Sequence, residues 1–262
     1  MASRASLLSS IRLTVLFFGG LILWTAVYIP CMAFLWPWFV MVRRMPMRYA
    51  IRHCVRLYGI VCCALLKSQT AIRVENRAGV LPYPCIIAAN HQSFFDAYCL
   101  SFFGVDNHVF VVRAWPFKIP VYGPVMRWAG YLNTEAVDTG EFLAKAKELL
   151  DEKAALVFFP EGTRSATGAM ARFRSGAFKL AMLYDVPVVP LCVNGTGNVF
   201  PKGRVLGRPA PVRLSLLPPV YPEKFAHYGE LAHLRLQRHV KAVIRKELEE
   251  HPAPFTREGD AS

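Results

Sequence analysis

An apolar run, Cys85-Ile86-Ile87-Ala88-Ala89, breaks abruptly into Asn90-His91-Gln92-Ser93, and a carboxylate follows at Asp96. Five positions separate His91 from Asp96, so a turn followed by the first coil of a helix would fold the carboxylate back onto the ring. A carboxylate on one imidazole nitrogen sets the tautomer and leaves the other nitrogen as a proton acceptor, the arrangement of a general base. The same residues also suit a plainer role, in which Asn90 or Ser93 caps a helix and Asp96 sits in its first turn. On these residues alone both readings stand.

A second cluster has the same form. Leu156-Val157-Phe158-Phe159 runs into Pro160-Glu161-Gly162-Thr163-Arg164-Ser165. Gly162 allows a ligand to approach the backbone, and the planar fork of Arg164 suits a phosphate. The mundane reading is a strand-ending turn whose Glu161 and Arg164 pair with each other. Gly-x-Ser-x-Gly, phosphate-loop and dinucleotide fingerprints are missing from the sequence. Serine-nucleophile and nucleotide-binding roles for a His-Asp pair in an α/β chain lose their support with them. A proton taken by His91 is then expected to come from a substrate hydroxyl. The seven cysteines include no Cys-x-x-Cys pair and the seven histidines no His-x-x-x-His pair. No metal site and no bound cofactor are expected, and cysteines set in apolar runs suit a reducing compartment.

Both polar clusters follow apolar runs of strand length, and ligands in open α/β sheets bind at the carboxyl ends of strands. Strands are expected at Ala71–Val74, Pro84–Ala89, His108–Val112, Ala155–Phe159, Val186–Cys192 and Val212–Leu217, from their apolar and β-branched content. Helical spacing marks Phe142–Leu150 after a Thr139-Gly140 start, then Arg174–Tyr184. Leu236, Val240, Val243, Ile244 and Leu248 share one helical face near the end. The alternation predicts an α/β fold with a mixed, partly parallel sheet flanked by helices.

The N-terminal region is different in kind. Residues 1–74 hold nine basic residues and no acid, whereas the whole chain of 262 residues carries Lys+Arg 31 against Asp+Glu 18. Such asymmetry points to an anionic surface, either membrane or nucleic acid. From Leu13 to Val42 no charged side chain occurs, and a membrane span needs roughly 20 apolar residues. A nucleic-acid module has no use for such a segment, so membrane is expected and nucleic acid is not. Gly19-Gly20, Pro30 and Pro37 interrupt the run. One tilted span fits it, and so does a hairpin of two short helices over about 13–29 and 31–42. The run is too long for a secretory signal. Arg44, Arg48, Arg52 and Arg56 recur every four residues, one stripe on a helix. Lipid phosphates would neutralise it at about 1 kcal/mol per basic residue; a solvated basic face is the other reading. Excess positive charge on this flank puts the C-terminal bulk in the cytoplasm, at an inner or cytoplasmic membrane.

In their order along the chain, several motifs resemble the glycerolphosphate acyltransferase superfamily, in particular its lysophosphatidic acid acyltransferase branch. Asn90-His91 with Asp96 is similar to the family's Asn-His-x4-Asp signature, and Phe159 to Ser165 to its substrate-binding signature. Pro120-Val121-Tyr122-Gly123 is similar to its Pro-x-x-Gly element, Phe173 with Gly176-Ala177-Phe178 to the stretch after the arginine, and Val186 to Pro190 to its late proline motif. The resemblance covers about residues 71–220 and implies a membrane-bound O-acyltransferase. His91 would deprotonate the hydroxyl of a lysolipid, which attacks an acyl-CoA or acyl-carrier-protein thioester as co-substrate, and Asp96 would orient His91. Glu161, Gly162, Thr163 and Arg164 would hold the acceptor headgroup, with Asn90 and Gly123 also in the substrate site. It also favours an N-terminal membrane-embedded helical hairpin. The implied organisation is membrane-associated helices and a basic interfacial helix in residues 1–66, an α/β acyltransferase domain in 67–250, and a loose tail in 251–262.

One element departs from the pattern. Where the family often carries an acid-arginine pair, this chain reads Gly130-Tyr131-Leu132-Asn133-Thr134-Glu135, and Arg113 stands where a lysine is common. Arg127 or Arg174 are the candidates to compensate. Lysophosphatidic acid is the expected acceptor, with another lysolipid, a lyso-aminolipid or a glycolipid precursor, as the second choice. A non-catalytic lipid-binding protein would require a broken motif, and both main motifs are intact.

Overall fold

The computed structural model describes residues 4–135, 138–165 and 168–253. Apolar residues on all sides favour a long helix, and α1 (Arg4–Met41) runs unbroken through Pro30 and Pro37. After a turn at 42–46, α2 (Met47–Lys67) returns along it. A hairpin therefore exists, but not over residues 13–42. Its first arm is that whole apolar run, and its second arm is the basic helix. Both helices are long and apolar enough to cross a membrane. Leu8, Val15, Ile22, Leu23, Phe34 and Met41 of α1 are exposed, an apolar surface far larger than a soluble helix leaves uncovered.

Six of the strands match the apolar runs, shifted by at most two residues at either end: β1 (Ile72–Asn76), β2 (Cys85–Ala89), β3 (His108–Val112), β5 (Ala155–Phe158), β6 (Val188–Asn194) and β7 (Val212–Leu216). The remaining one, β4 (Leu132–Asn133), has only two residues and no readable pattern. The sheet order is β1-β7-β6-β2-β5-β3-β4, parallel throughout except that β6 and β7 are antiparallel. Short α3 (Tyr122–Trp128) precedes β4, and α4 (Thr139–Asp151) begins at Asp138, whose carboxylate accepts from Glu141 N at 2.9 Å. After them come α5 (Gly176–Tyr184), the single-turn α6 (Thr196–Val199) and the amphipathic α7 (Ala232–Glu250). Strand alternation divides the core. Ile86 and Ala88 face α4, α5 and α7, while Cys85, Ile87 and Ala89 face the side on which Leu13 and Phe17 of α1 pack.

For the site, the decisive feature is the order β5-β2-β6. Ala88 lies opposite both Phe158 and Pro190 in parallel register. The three loops that leave these strands therefore emerge together at one sheet edge.

The basic stripe requires a correction. Arg44 lies outside the helix, in the turn, with φ 52°. Arg52 faces inward and is fully buried. Its Nε donates to Ala129 O at 2.8 Å, and its Nη1 to Asn107 Oδ1 at 2.8 Å and Glu152 Oε2 at 3.0 Å. Arg48 pairs with Glu148 at 2.6 Å, and Arg56 with Asp106. The four-residue repeat is thus a docking face. Carboxylates and carbonyls at the amino-terminal edge of the sheet neutralise it, in the place where the sequence alone suggests lipid phosphates.

Arg52→Met leaves Ala129 O and Asn107 without their buried donor and should cost about 3 kcal/mol of stability, read by urea unfolding in detergent, with vesicle binding unchanged. His108 is buried beside this network, and burial pushes its pKa down to about 4, against the support of the Val105 carbonyl on Nδ1. The unfolded imidazole titrates near 6.5. Its neutral form is therefore fully compatible with the fold above about pH 6.5, and stability is lost as pH falls from there toward 4. In the His108→Gln variant that part of the pH dependence of Tm should vanish.

Candidate active site

Ala89 ends β2, and the chain turns through Asn90–Ser93 into a 3-10 turn at Phe94–Ala97. The turn brings Asp96 back beneath the residues before it. Asp96 Oδ2 accepts from Gln92 N at 2.7 Å, Ser93 N at 2.8 Å and His91 Nδ1 at 2.9 Å, and Oδ1 accepts from Thr196 Oγ1 at 2.6 Å. The side chain of Asp96 is 0% exposed and that of His91 19%. The capping role and the pairing role, offered by the sequence as separate readings, are both real, because the capping carboxylate is the one that holds the imidazole. With Nδ1–H donated to Asp96, Nε2 is the acceptor nitrogen. Among the described residues nothing hydrogen-bonds it.

The second motif arrives from β5. Phe159 stacks on the His91 ring with centroids 4.1 Å apart and an interplanar angle of 23°. Glu161 is buried, and it does not pair with Arg164. Its Oε1 accepts from His91 N at 2.8 Å and its Oε2 from Ala171 N at 2.8 Å. Ser165 N donates to His91 O at 2.8 Å. The backbone of His91 is thus held on both sides by the Glu161–Ser165 loop. Gly162 has φ +73°, and a Cβ there would lie 3.0 Å from Arg174 Nε, so the glycine serves both the turn and the seat of Arg174.

Three residues expected in the substrate site are engaged in the scaffold. Asn90 closes a two-way bridge to β6, donating Nδ2–H to Val193 O and accepting from Val193 N, each at 2.7 Å. Both carboxylate oxygens of Glu161 are spent on backbone N–H groups. Gly123 is buried, and a Cβ on it would stand 2.2 Å from Phe117 O, so its requirement is close packing of α3 on the preceding turn. Gly162, Thr163 and Arg164 do lie around His91, and the Arg164 guanidinium has no partner among the described residues. Arg44, Arg48, Arg52 and Arg56 belong to the hairpin and the opposite sheet edge, away from this cluster.

The departure in the middle motif also has a structural account. Glu135 accepts from Arg113 Nε at 2.7 Å and from Ala114 N at 3.0 Å, and these bonds, the Ala114 N–H first, hold its carboxyl below the usual range. Arg127 is turned to Phe117 O at 2.9 Å, which leaves Arg174, above Gly162, as the nearer substitute. Sequence reasoning misses Thr196, Phe159 as a stacking partner, and Lys202, whose Nζ donates to Thr163 Oγ1 at 3.2 Å and Arg164 O at 3.0 Å. For Thr196 and Lys202 the only signal is the topology, since β6 is the neighbour of β2 in space and not in sequence, whereas Phe159 follows β5 on the other side of β2.

Residues 71–194 match the family model described as Acyltransferase. A chloroplastic 1-acyl-sn-glycerol-3-phosphate acyltransferase of Brassica napus is 37% identical over 146 residues, 54% of this chain and 42% of that protein. A 1-acyl-sn-glycerol-3-phosphate acyltransferase of Salmonella typhimurium is 28% identical over 169 residues, 63% of this chain and 67% of that one. The crystal structure of the 1-acyl-sn-glycerophosphate acyltransferase from Thermotoga maritima shares the fold with a TM-score of 0.78 and 27% identity, covering 95% of this chain and 98% of that one. The chain spans less than half the length of the Brassica and Arabidopsis relatives, 42% and 34%.

Glu161→Gln offers an amide in place of one carboxylate oxygen, so either His91 N or Ala171 N loses its acceptor. A loss of about 1–3 kcal/mol is expected, measured by thermal or urea unfolding. Glu161→Asp, too short to reach both donors, should lose at least as much.

Proposed function

We propose, from the premise that residues 71–194 form an acyltransferase domain of the glycerolphosphate acyltransferase superfamily, that this protein moves a fatty acyl group from an acyl thioester to the free hydroxyl of 1-acyl-sn-glycerol-3-phosphate, with phosphatidic acid as product. The observation that carries this reading is His91 itself. Its Nδ1 is held by a buried carboxylate and its Nε2 is open, beside a loop whose arginine lacks a partner among the described residues.

In the reaction, Nε2 takes the hydroxyl proton as the oxygen attacks the thioester carbonyl carbon. The new C–O bond gives a tetrahedral intermediate, and Asp96 stabilises the imidazolium. On collapse the C–S bond breaks, and the imidazolium returns its proton to the departing thiolate. No acyl-enzyme is required. Base catalysis of this kind is worth about 10²–10⁴-fold, so positioning of the acceptor supplies much of the remainder. Arg164, with Arg174 in the role of the missing middle-motif arginine, would hold the acceptor phosphate. The apolar hairpin would keep the protein at the membrane from which a lysolipid enters, with the catalytic domain on the cytoplasmic side.

The test is transfer by the detergent-purified protein, using labelled acyl-CoA and acyl-carrier protein with a panel of lysolipids. His91→Ala should reduce turnover at least about 100-fold while the protein stays folded; retained turnover would remove the base assignment. Arg164→Ala should raise the KM for the acceptor about 10-fold or more with little effect on the donor. Product only from acceptors that lack a phosphomonoester would move the enzyme to a lyso-aminolipid or glycolipid precursor and leave the chemistry in place.

A further inference from the structure

Lys202 lies just after α6 and reaches the loop that also seats Arg174 at Gly162. Its backbone is well anchored. Phe200, two residues earlier, is buried against Phe17, Phe94 and Phe95, and its carbonyl accepts from Ser93 Oγ at 3.4 Å. From there the side chain crosses to the second motif, where Nζ meets two neutral oxygens, Thr163 Oγ1 and Arg164 O. The peptide group that receives Lys202 on its oxygen gives its N–H, that of Ser165, to His91 O. One peptide unit therefore separates the ammonium from the backbone of His91.

No carboxylate among the described residues lies within ion-pair distance of Lys202, Arg164 or Arg174. The nearby acids are held by other groups: Asp96 by His91, two backbone N–H groups and Thr196, Glu161 by two backbone N–H groups, and Glu135, whose charge reaches Arg174 only at a distance, by Arg113 and Ala114 N. An ammonium with three donors that touches only neutral oxygens keeps donor capacity for an anion. Cations gathered on one loop repel one another, and an anion bound among them reverses the sign of that interaction.

We infer that Lys202 is a specificity-determining contact for the phosphomonoester of the acceptor. It would supply, from the β6 side, a cation that the middle motif lacks. The inference rests on the proposed acyl transfer to 1-acyl-sn-glycerol-3-phosphate. In that molecule only two carbons separate the reacting hydroxyl from the phosphate ester oxygen, so a hydroxyl on His91 Nε2 brings the phosphate to the loop that Lys202 touches. A thioester donor carries its own phosphates, but at the far end of its pantetheine arm, and these are the competing source of the same chemistry.

The test compares Lys202→Met, which keeps the length and apolar stem, with Lys202→Arg, which keeps the charge. Initial rates are measured against each substrate, and Tm reports the fold. Expected for Lys202→Met is a rise of about 10-fold or more in the KM for 1-acyl-sn-glycerol-3-phosphate, with the KM for acyl-CoA and the Tm unchanged. Lys202→Arg should restore most of the loss. Equilibrium binding of that lysolipid, against monoacylglycerol lacking the phosphate, should show the same contrast. A fall in kcat and Tm with the acceptor KM unchanged would make Lys202 a mere clip between loops and overturn the inference. A rise confined to the KM for acyl-CoA would assign the ammonium to the donor and overturn it equally. If wild-type protein uses 1-acyl-sn-glycerol-3-phosphate and Lys202→Met does not alter its KM, only this inference fails. If wild-type protein acylates no phosphomonoester acceptor, the proposed function fails with it.

Discussion

The geometry around His91 hangs on one buried carboxylate. Asp96 has no exposed side-chain surface and accepts from two backbone N–H groups, an imidazole and a hydroxyl. An ionised carboxylate removed from water is costly unless its lone pairs are satisfied, and here four donors do so. Those donors come from the turn after β2 and from the start of α6, after β6. Satisfying the charge therefore requires the turn to close and the two strands to be neighbours. The same bonds that stabilise Asp96 place His91 with Nδ1 inward and Nε2 outward. The bonds that close the loop are thus the ones that orient the imidazole.

The parallel order β5-β2-β6 is what makes this possible. Neighbouring parallel strands deliver their following loops to the same edge, so Glu161 reaches the backbone of His91 from one side and Thr196 reaches Asp96 from the other. Glu161 and Asn90 are then understood as parts of the frame. Each engages both of its polar termini with backbone groups, so the frame fixes where each side chain points. Their polar character in an otherwise apolar neighbourhood is what makes them resemble ligand contacts in a sequence.

Much of this is legible in the sequence, and what is not has physical causes. Runs of β-branched and apolar residues locate six strands because both sheet faces are covered, which leaves little room for other patterns. The His91–Asp96 pair is legible because its partners are local. Thr196 and Lys202 are not, since their contacts to Asp96 and Thr163 span 100 and 39 residues of chain. The basic stripe misleads for a related reason. A four-residue repeat identifies a helical face but not what the face meets, and Arg52 meets Ala129 O, Asn107 and Glu152 inside the protein. β4 is two residues long, and two residues have no period.

Two faces of the hairpin have separate physical duties. The arginines of α2 bind it to the amino-terminal edge of the sheet, away from the chemistry, and charge in that helix is consumed there. The early part of α1 does the opposite, lying beside the His91–Asp96 turn. Phe17 and Phe18 pack against Phe94 and Phe200, and Thr14 Oγ1 accepts from Gly207 N at 2.9 Å. Phe94 follows the His91–Ser93 turn directly, and Phe200 precedes Lys202 by two residues. Within a short span the surroundings of the histidine thus change from aromatic, contributed in part by the apolar helix, to cationic, contributed by Arg164, Arg174 and Lys202. A substrate with one apolar and one anionic end is the kind of molecule whose two halves such a gradient stabilises at once, since apolar burial and charge pairing draw its ends in opposite directions. For the lysolipid acceptor proposed above, the central hydroxyl would then lie between them, within reach of the open Nε2 of His91.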